Sequence, residues 1–112
     1  MTITPHEFHW YIQSLMQKQQ LLLFLDSLSD NLPSKNAKYV FTSYIRMSKV
    51  KVRFYKITVK IRIPNSIQGQ KMIENNWDQI VGFVYRMNKN QYILSSYKTL
   101  DPLYYIIEGT RK

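Results

Sequence analysis

Hydrophobic residues recur along this chain with two different periods, and the changes of period divide it into elements. From Pro5 the spacing is helical: Phe8, Ile12, Leu15 and Leu22 share one face, and Leu21, Leu25, Leu28 and Leu32 continue it on a face that drifts around the axis. Thr4 is placed as N-cap, Pro5 as N1 and Glu7 as N3 of a capping box, with Ile3 and Phe8 set as a hydrophobic staple. Asp30-Asn31-Leu32-Pro33-Ser34 supplies a stop. The pattern predicts a helix from Pro5 to about Leu28. Gln13, Gln17, Lys18 and Gln20 give its first half a polar side, whereas Leu21 to Leu25 leaves almost none. That second half is either deeply buried or part of a contact between subunits, and a homodimer through Leu21–Leu25 is the expectation it raises.

From Lys38 the period changes to two. Tyr39, Phe41, Ile45 and Met47 share one phase and predict a strand. Residues 50–63 alternate more cleanly, with Val50, Val52 and Phe54 in one phase and Tyr55, Ile57, Val59, Ile61 and Ile63 in the other. The slip at Phe54-Tyr55 reads as a β-bulge, which keeps Lys49, Lys51, Arg53, Lys56, Lys60 and Arg62 on one face. A tight turn is the alternative, disfavoured because Arg53-Phe54-Tyr55-Lys56 contains none of the residues that turns prefer. Pro64-Asn65-Ser66 breaks the pattern, and Ile67, Ile73 and Trp77 then fit a short helix ending near Asn75-Asn76. Ile80 to Met87 reads as a strand, Asn88-Lys89-Asn90 as a hairpin turn tolerant of positive φ, and Tyr92 to Tyr97 as its partner. After Leu100-Asp101-Pro102 a last strand covers Leu103 to Glu108, with residues 109–112 a frayed end. The order is α-β-β-α-β-β-β. It implies an α+β fold: a single antiparallel sheet with two helices packed on one face, which buries both apolar stripes.

Composition narrows the class. A chain of 112 residues, 45 % hydrophobic and 14 % aromatic with three Gly and four Pro, predicts one folded domain spanning 1–112. It contains no Cys, which excludes disulfides, zinc-thiolate sites and thiol nucleophiles and is compatible with a reducing compartment. Met1 to Glu7 lacks a basic region followed by an apolar one, and the longest apolar run, Leu21 to Leu25, is far shorter than the roughly 20 residues of a spanning helix. The expectation is an intracellular protein, with no membrane partner.

Charge changes the picture most. The net charge is +9, but it is local. Residues 1–37 hold Lys18 and Lys35 against Glu7, Asp26 and Asp30, and residues 64–112 hold six bases against four acids. Between them Lys38, Arg46, Lys49, Lys51, Arg53, Lys56, Lys60 and Arg62 stand with no acid. Concentrating like charge raises self-repulsion, so a chain needing only solubility would mix its signs. The segment therefore points to phosphates, with Lys49, Lys51, Arg53, Lys56, Lys60, Arg62 and Arg46 as contacts and Tyr39, Tyr44 and Tyr55 as tyrosines of the same stretch that could stack on bases, Tyr55 first among them. The bland counterpart is a solvated sheet face whose lysines discourage edge pairing.

Other chemistry is sparse. His6 and His9 lie three apart on the first helix but beside a Glu7 already used in capping, so neither a metal nor another cofactor is expected. The carboxylates are too scattered to nominate an acid/base pair, and Gly69, Gly82 and Gly109 are isolated, so no glycine-rich phosphate loop occurs. No catalytic residue is nominated.

In style the chain resembles the small proteins encoded by filamentous and rod-shaped viruses of thermophilic archaea: cysteine-free, rich in Tyr, Ile and Lys, and carrying stretches such as Lys56-Ile57-Thr58-Val59-Lys60-Ile61-Arg62-Ile63. The resemblance is one of composition. It implies an accessory role inside an infected cell, and the many Asn and Gln, such as Asn75-Asn76 and Gln19-Gln20, depart from it. A second similarity is to small basic toxin nucleases that cleave messenger RNA without a metal, and it implies a site built from Arg86, Tyr92, Tyr97 and Arg111, although the order of elements differs. A third reading is an adaptor whose basic strand docks an acidic protein. The leading expectation is nucleic-acid binding without catalysis.

Overall fold

The computed structural model describes residues 4–112 and contains four helices and four strands. They run in the order α1 (Pro5–Leu28), α2 (Lys35–Ile45), β1 (Lys49–Val52), β2 (Lys56–Arg62), α3 (Ile67–Asn75), α4 (Trp77–Met87), β3 (Tyr92–Tyr97) and β4 (Tyr104–Arg111), with one 3-10 turn at Ser29–Asn31 after α1. The strands form one antiparallel sheet in the order β1-β2-β4-β3. The α+β class and the antiparallel sheet agree with the sequence pattern; the number and order of elements do not.

The first helix begins and ends where its pattern places it. Thr4 accepts from the Glu7 backbone N–H while Glu7 accepts from the Thr4 backbone N–H, which satisfies two orphan donors reciprocally. Ile3, the other half of the expected staple, lies outside the described residues. Leu21 and Leu25 are wholly buried, Leu22 and Phe24 pack partly against the same core, and Leu23 alone of the run is exposed. The leucine run is thus accounted for by burial within its own chain. Midway along α1, the buried Gln17 and Asn88 at the end of α4 exchange amide hydrogen bonds of 2.7 and 3.0 Å, fixing the helix axially where apolar contacts alone would let it slide.

Two segments expected as strands are helices. Residues 38–47 alternate in sequence, but Ala37, Phe41 and Ile45 also lie four apart, and these are the positions that are buried. Ser34 caps the helix by accepting from the Ala37 N–H, and Tyr39 and Met47, whose strand phase would have turned them inward, face solvent. Residues 80–87 lie on α4, where Trp77, Ile80 and Val84 repeat at three and four and enter the core. β-branched residues there favour a strand by local preference, and burial of a helical stripe overrides it. The turn at Asn88-Lys89-Asn90 has the expected positive φ, 54° at Lys89 and 57° at Asn90, but it joins helix to strand.

The expected bulge at Phe54-Tyr55 is a hairpin turn. β1 and β2 pair with Val52 opposite Ile57, and Arg53 N–H donates to the Lys56 carbonyl across the turn. The turn is built without Gly, Asn, Asp or Pro because other elements hold it: Tyr92 Oη donates to the Arg53 carbonyl at 2.6 Å, and Arg111 N–H donates to the Tyr55 carbonyl at 2.9 Å. The edge of β1 is covered in turn by α1, whose Ser14 Oγ accepts from the Val52 N–H.

Val52, Ile57, Val59, Ile61, Tyr92, Tyr105 and Ile107 form the inner face of the sheet, and they join buried residues of all four helices in one core. Residues 109–112, expected to fray, are largely paired: Gly109 and Thr110 pair with strands on both sides, and Arg111 pairs with Tyr92. Gly109 is buried where a Cβ would come within 2.6 Å of both Ile57 Cγ2 and Leu94 Cδ2. Replacing Gly109 with Ala therefore overpacks the sheet, and urea unfolding is expected to show a loss of about 1–3 kcal/mol. A variant as stable as the parent would show that the close approach is not tight.

Candidate nucleic-acid interface

Because Ile57, Val59 and Ile61 are driven inward, their strand neighbours must point to the other side. Lys56, Thr58, Lys60 and Arg62 of β2 lie there, beside Lys49 and Lys51 of β1. On the other flank are Tyr104, Ile106, Glu108 and Thr110 of β4, then Ile93, Ser95 and Tyr97 of β3. Five of the expected site residues, Lys49, Lys51, Lys56, Lys60 and Arg62, share this outer face, which carries no helix. The hairpin brings them together by pairing, where a bulge was expected to do it along one strand.

The other three lie elsewhere. Arg53 and Tyr55 sit in the hairpin turn, with Arg53 Nη1 donating to the Val52 carbonyl and Tyr55 largely exposed. Arg46 caps the far end of α2, on the surface between α1 and α2. Lys38, also counted in the basic segment, is on α2 as well and pairs with Asp30 at 2.5 Å, whose hydrogen bond and charge hold its ammonium above the usual lysine range.

The outer face is electrostatically unbalanced. Lys49 stands directly opposite Lys60 in the ladder, an arrangement that destabilises a sheet unless an anion lies between. Glu108 is the one acid on this face among the described residues, and no ion pair within 4 Å forms there. Arg62 adds an Nε that is buried without an acceptor.

Tyr104 stands at the centre of this charge and was not singled out by the sequence. Its ring has Lys49 Nζ at 5.7 Å, Lys60 Nζ at 5.9 Å and the Arg62 guanidinium carbon at 5.8 Å, and the same guanidinium lies 5.8 Å from Tyr44 of α2. Three cations around one ring place an aromatic face among positive charges. The pairing of Arg62 with Tyr104 spans 42 positions, so nothing local in the sequence shows it. Beside this ring Ile106 is buried on the outer face between its cross-strand neighbours Lys60 and Tyr97, whose long side chains cover it.

The alternative constellation assembles only in part. Tyr92 and Arg111 are paired on one face, with the Arg111 guanidinium 5.9 Å from the Tyr92 ring, whereas Tyr97 points outward and Arg86 is on α4. His6 and His9 both pack on Trp10, with Trp10 Nε1 donating to His6 Nε2 at 3.1 Å. No helix among the described residues is long and apolar enough to cross a membrane. The chain matches no protein-family model, no curated protein and no solved structure.

The Lys49–Lys60 opposition has a measurable consequence. Lys60→Glu converts a repulsive cross-strand pair into an attractive one, and at low salt it is expected to raise stability by about 0.2–1 kcal/mol. High salt should erase most of the gain. Unchanged stability at low salt would show that the two ammonium groups do not feel each other.

Proposed function

We propose that this protein binds single-stranded nucleic acid across the outer face of its sheet, with Lys49, Lys51, Lys56, Lys60 and Arg62 neutralising phosphates and Tyr104 stacking on a base. The observation that carries the reading is the cluster of three cations around the Tyr104 ring on a face without a covering helix. Stacking platforms flanked by bases are how single strands are held without sequence preference. A duplex fits less well. A two-stranded ribbon enters the major groove only when it projects, and here the hairpin is continued by β4 and β3 into a broad surface. Binding is favoured over cleavage in this reading because Tyr97 points away from the paired Tyr92 and Arg111.

The test is a panel of single-stranded DNA, single-stranded RNA and duplex at several salt concentrations. Replacing Lys49, Lys51, Lys60 and Arg62 with Gln should reduce the slope of log affinity against log salt by about 0.7 per lost contact on single strands, close to three in all. Folding should change by no more than about 0.5 kcal/mol per site. Tyr104→Ala should weaken binding by about 1–3 kcal/mol while leaving the slope unchanged, because stacking releases no counterions. A quadruple variant that retains both affinity and slope would sink the proposal. Binding to an acidic protein that polyanions do not displace would favour the adaptor instead.

A further inference from the structure

A second aromatic and basic site lies at the other end of the hairpin. Lys56 and Arg62 are six positions apart on β2, about 20 Å along the strand, so the turn is remote from Tyr104. Between this turn and the first turns of α1 is a cleft of about 560 Å3, in the range of small-ligand sites. Its walls include Trp10, Tyr11, Phe54 and Tyr55, and its bases are Arg53 and Lys56. Glu7 also lines it at the helix start, where its carboxylate accepts from the Thr4 N–H and keeps its negative charge, so the two bases outnumber one acid.

Bulky side chains at a hairpin tip contribute little to the core, and here Tyr55 is 76 % and Phe54 39 % exposed. They are nonetheless held in place. Phe54 has the Arg111 guanidinium 4.2 Å from its ring centre and meets both Trp10 and Tyr55 edge-on. Tyr92 Oη and Arg111 N–H hold the turn's carbonyls, and Trp10 is tied to His6. Side chains already held by such contacts lose less freedom on binding than free ones would. The chemistry calls for a flat, aromatic, anionic occupant: rings to stack on the base, and cations to meet the phosphate.

We propose that this cleft is a nucleotide pocket that takes one base of the bound strand against Trp10 and Tyr55, with its phosphate on Arg53 and Lys56. The inference rests on the outer-face reading and extends it, because Lys56 belongs both to that face and to the cleft. A strand lying along β2 from the Tyr104 cluster passes Thr58, with Lys51 on one side and Glu108 on the other, and reaches the cleft at Lys56.

The experiment uses the full chain and a single-stranded oligonucleotide bearing 5-iodouracil at successive positions. Photo-crosslinks are expected at Trp10 or Tyr55 in addition to Tyr104. Tyr55→Ala, which removes an exposed ring, should lower affinity at least fivefold with the salt slope unchanged, whereas Arg53→Gln should reduce the slope by about 0.7. If Tyr55→Ala binds like the parent and crosslinks appear only at Tyr104, the pocket is wrong while the outer face stands. If the parent protein neither binds nor crosslinks, both are wrong.

Discussion

The arrangement depends on the alternation of β2. Ile57, Val59 and Ile61 are each wholly buried, and burying side chains of this kind stabilises a fold by about 1.5–3 kcal/mol apiece. A slip of one residue would exchange them for Thr58, Lys60 and Arg62, and no core could accept the two charges. The register is therefore set by the inner face, and the positions of the bases follow from it. The backbone positions that carry the outer-face charge are thus fixed. The Lys49 backbone cannot move away from that of Lys60 without taking Val50 and Val52 off the core, so the fold keeps the two lysines side by side and packing on the other side offsets their repulsion.

This rigidity connects the two ends of the hairpin. At the open end, Ser48 Oγ accepts from the Arg62 N–H, and the Arg62 guanidinium lies near both Tyr104 and Tyr44. At the closed end, the C-terminal part of β4 and Tyr92 of β3 hold a turn whose own residues have little preference for turning. One element thus presents a ring among cations at one end and a group of rings beside cations at the other. Both draw on neighbours from other elements, and Tyr104, Tyr92 and Arg111 among them give β3 and β4 a part beyond completing the sheet.

That dependence explains how much was legible in the sequence. The first helix was readable to its ends because its signals are local: a capping box, a proline at N1 and a leucine stripe. The basic side of residues 49–62 was readable because alternation of period two survives a tight hairpin as well as a bulge. The turn itself was not, since Arg53-Phe54-Tyr55 is stabilised by Tyr92 and Arg111, about 40 and 55 positions away. The segments 38–47 and 80–87 misled for a different reason. Aromatic and β-branched residues placed four apart also fall two apart in phase, and only burial against α1 and the sheet decides between the periods. Tyr104 was invisible as a site residue, because a tyrosine on a strand gains its meaning from what lies across the ladder.

The balance of residue types bears on the nature of the partner. Interfaces between proteins are depleted of Lys and enriched in Arg, whose planar fork matches a carboxylate at two points and desolvates more readily. The outer face has the opposite bias: four lysines, Lys49, Lys51, Lys56 and Lys60, to the single Arg62. Strongly hydrated point charges on flexible stems suit a partner whose negative charge is regularly spaced and itself well hydrated, and a phosphate backbone has that character. Specific docking of carboxylates would require fixed geometry, and these lysine side chains make no hydrogen bond among the described residues that would hold them. Counterion release needs no such geometry, only charge kept close to the strand. The fold fixes the backbone beneath the rings, while each lysine ends a flexible four-carbon stem. That division of labour fits a surface that positions bases by stacking and retains the backbone by charge.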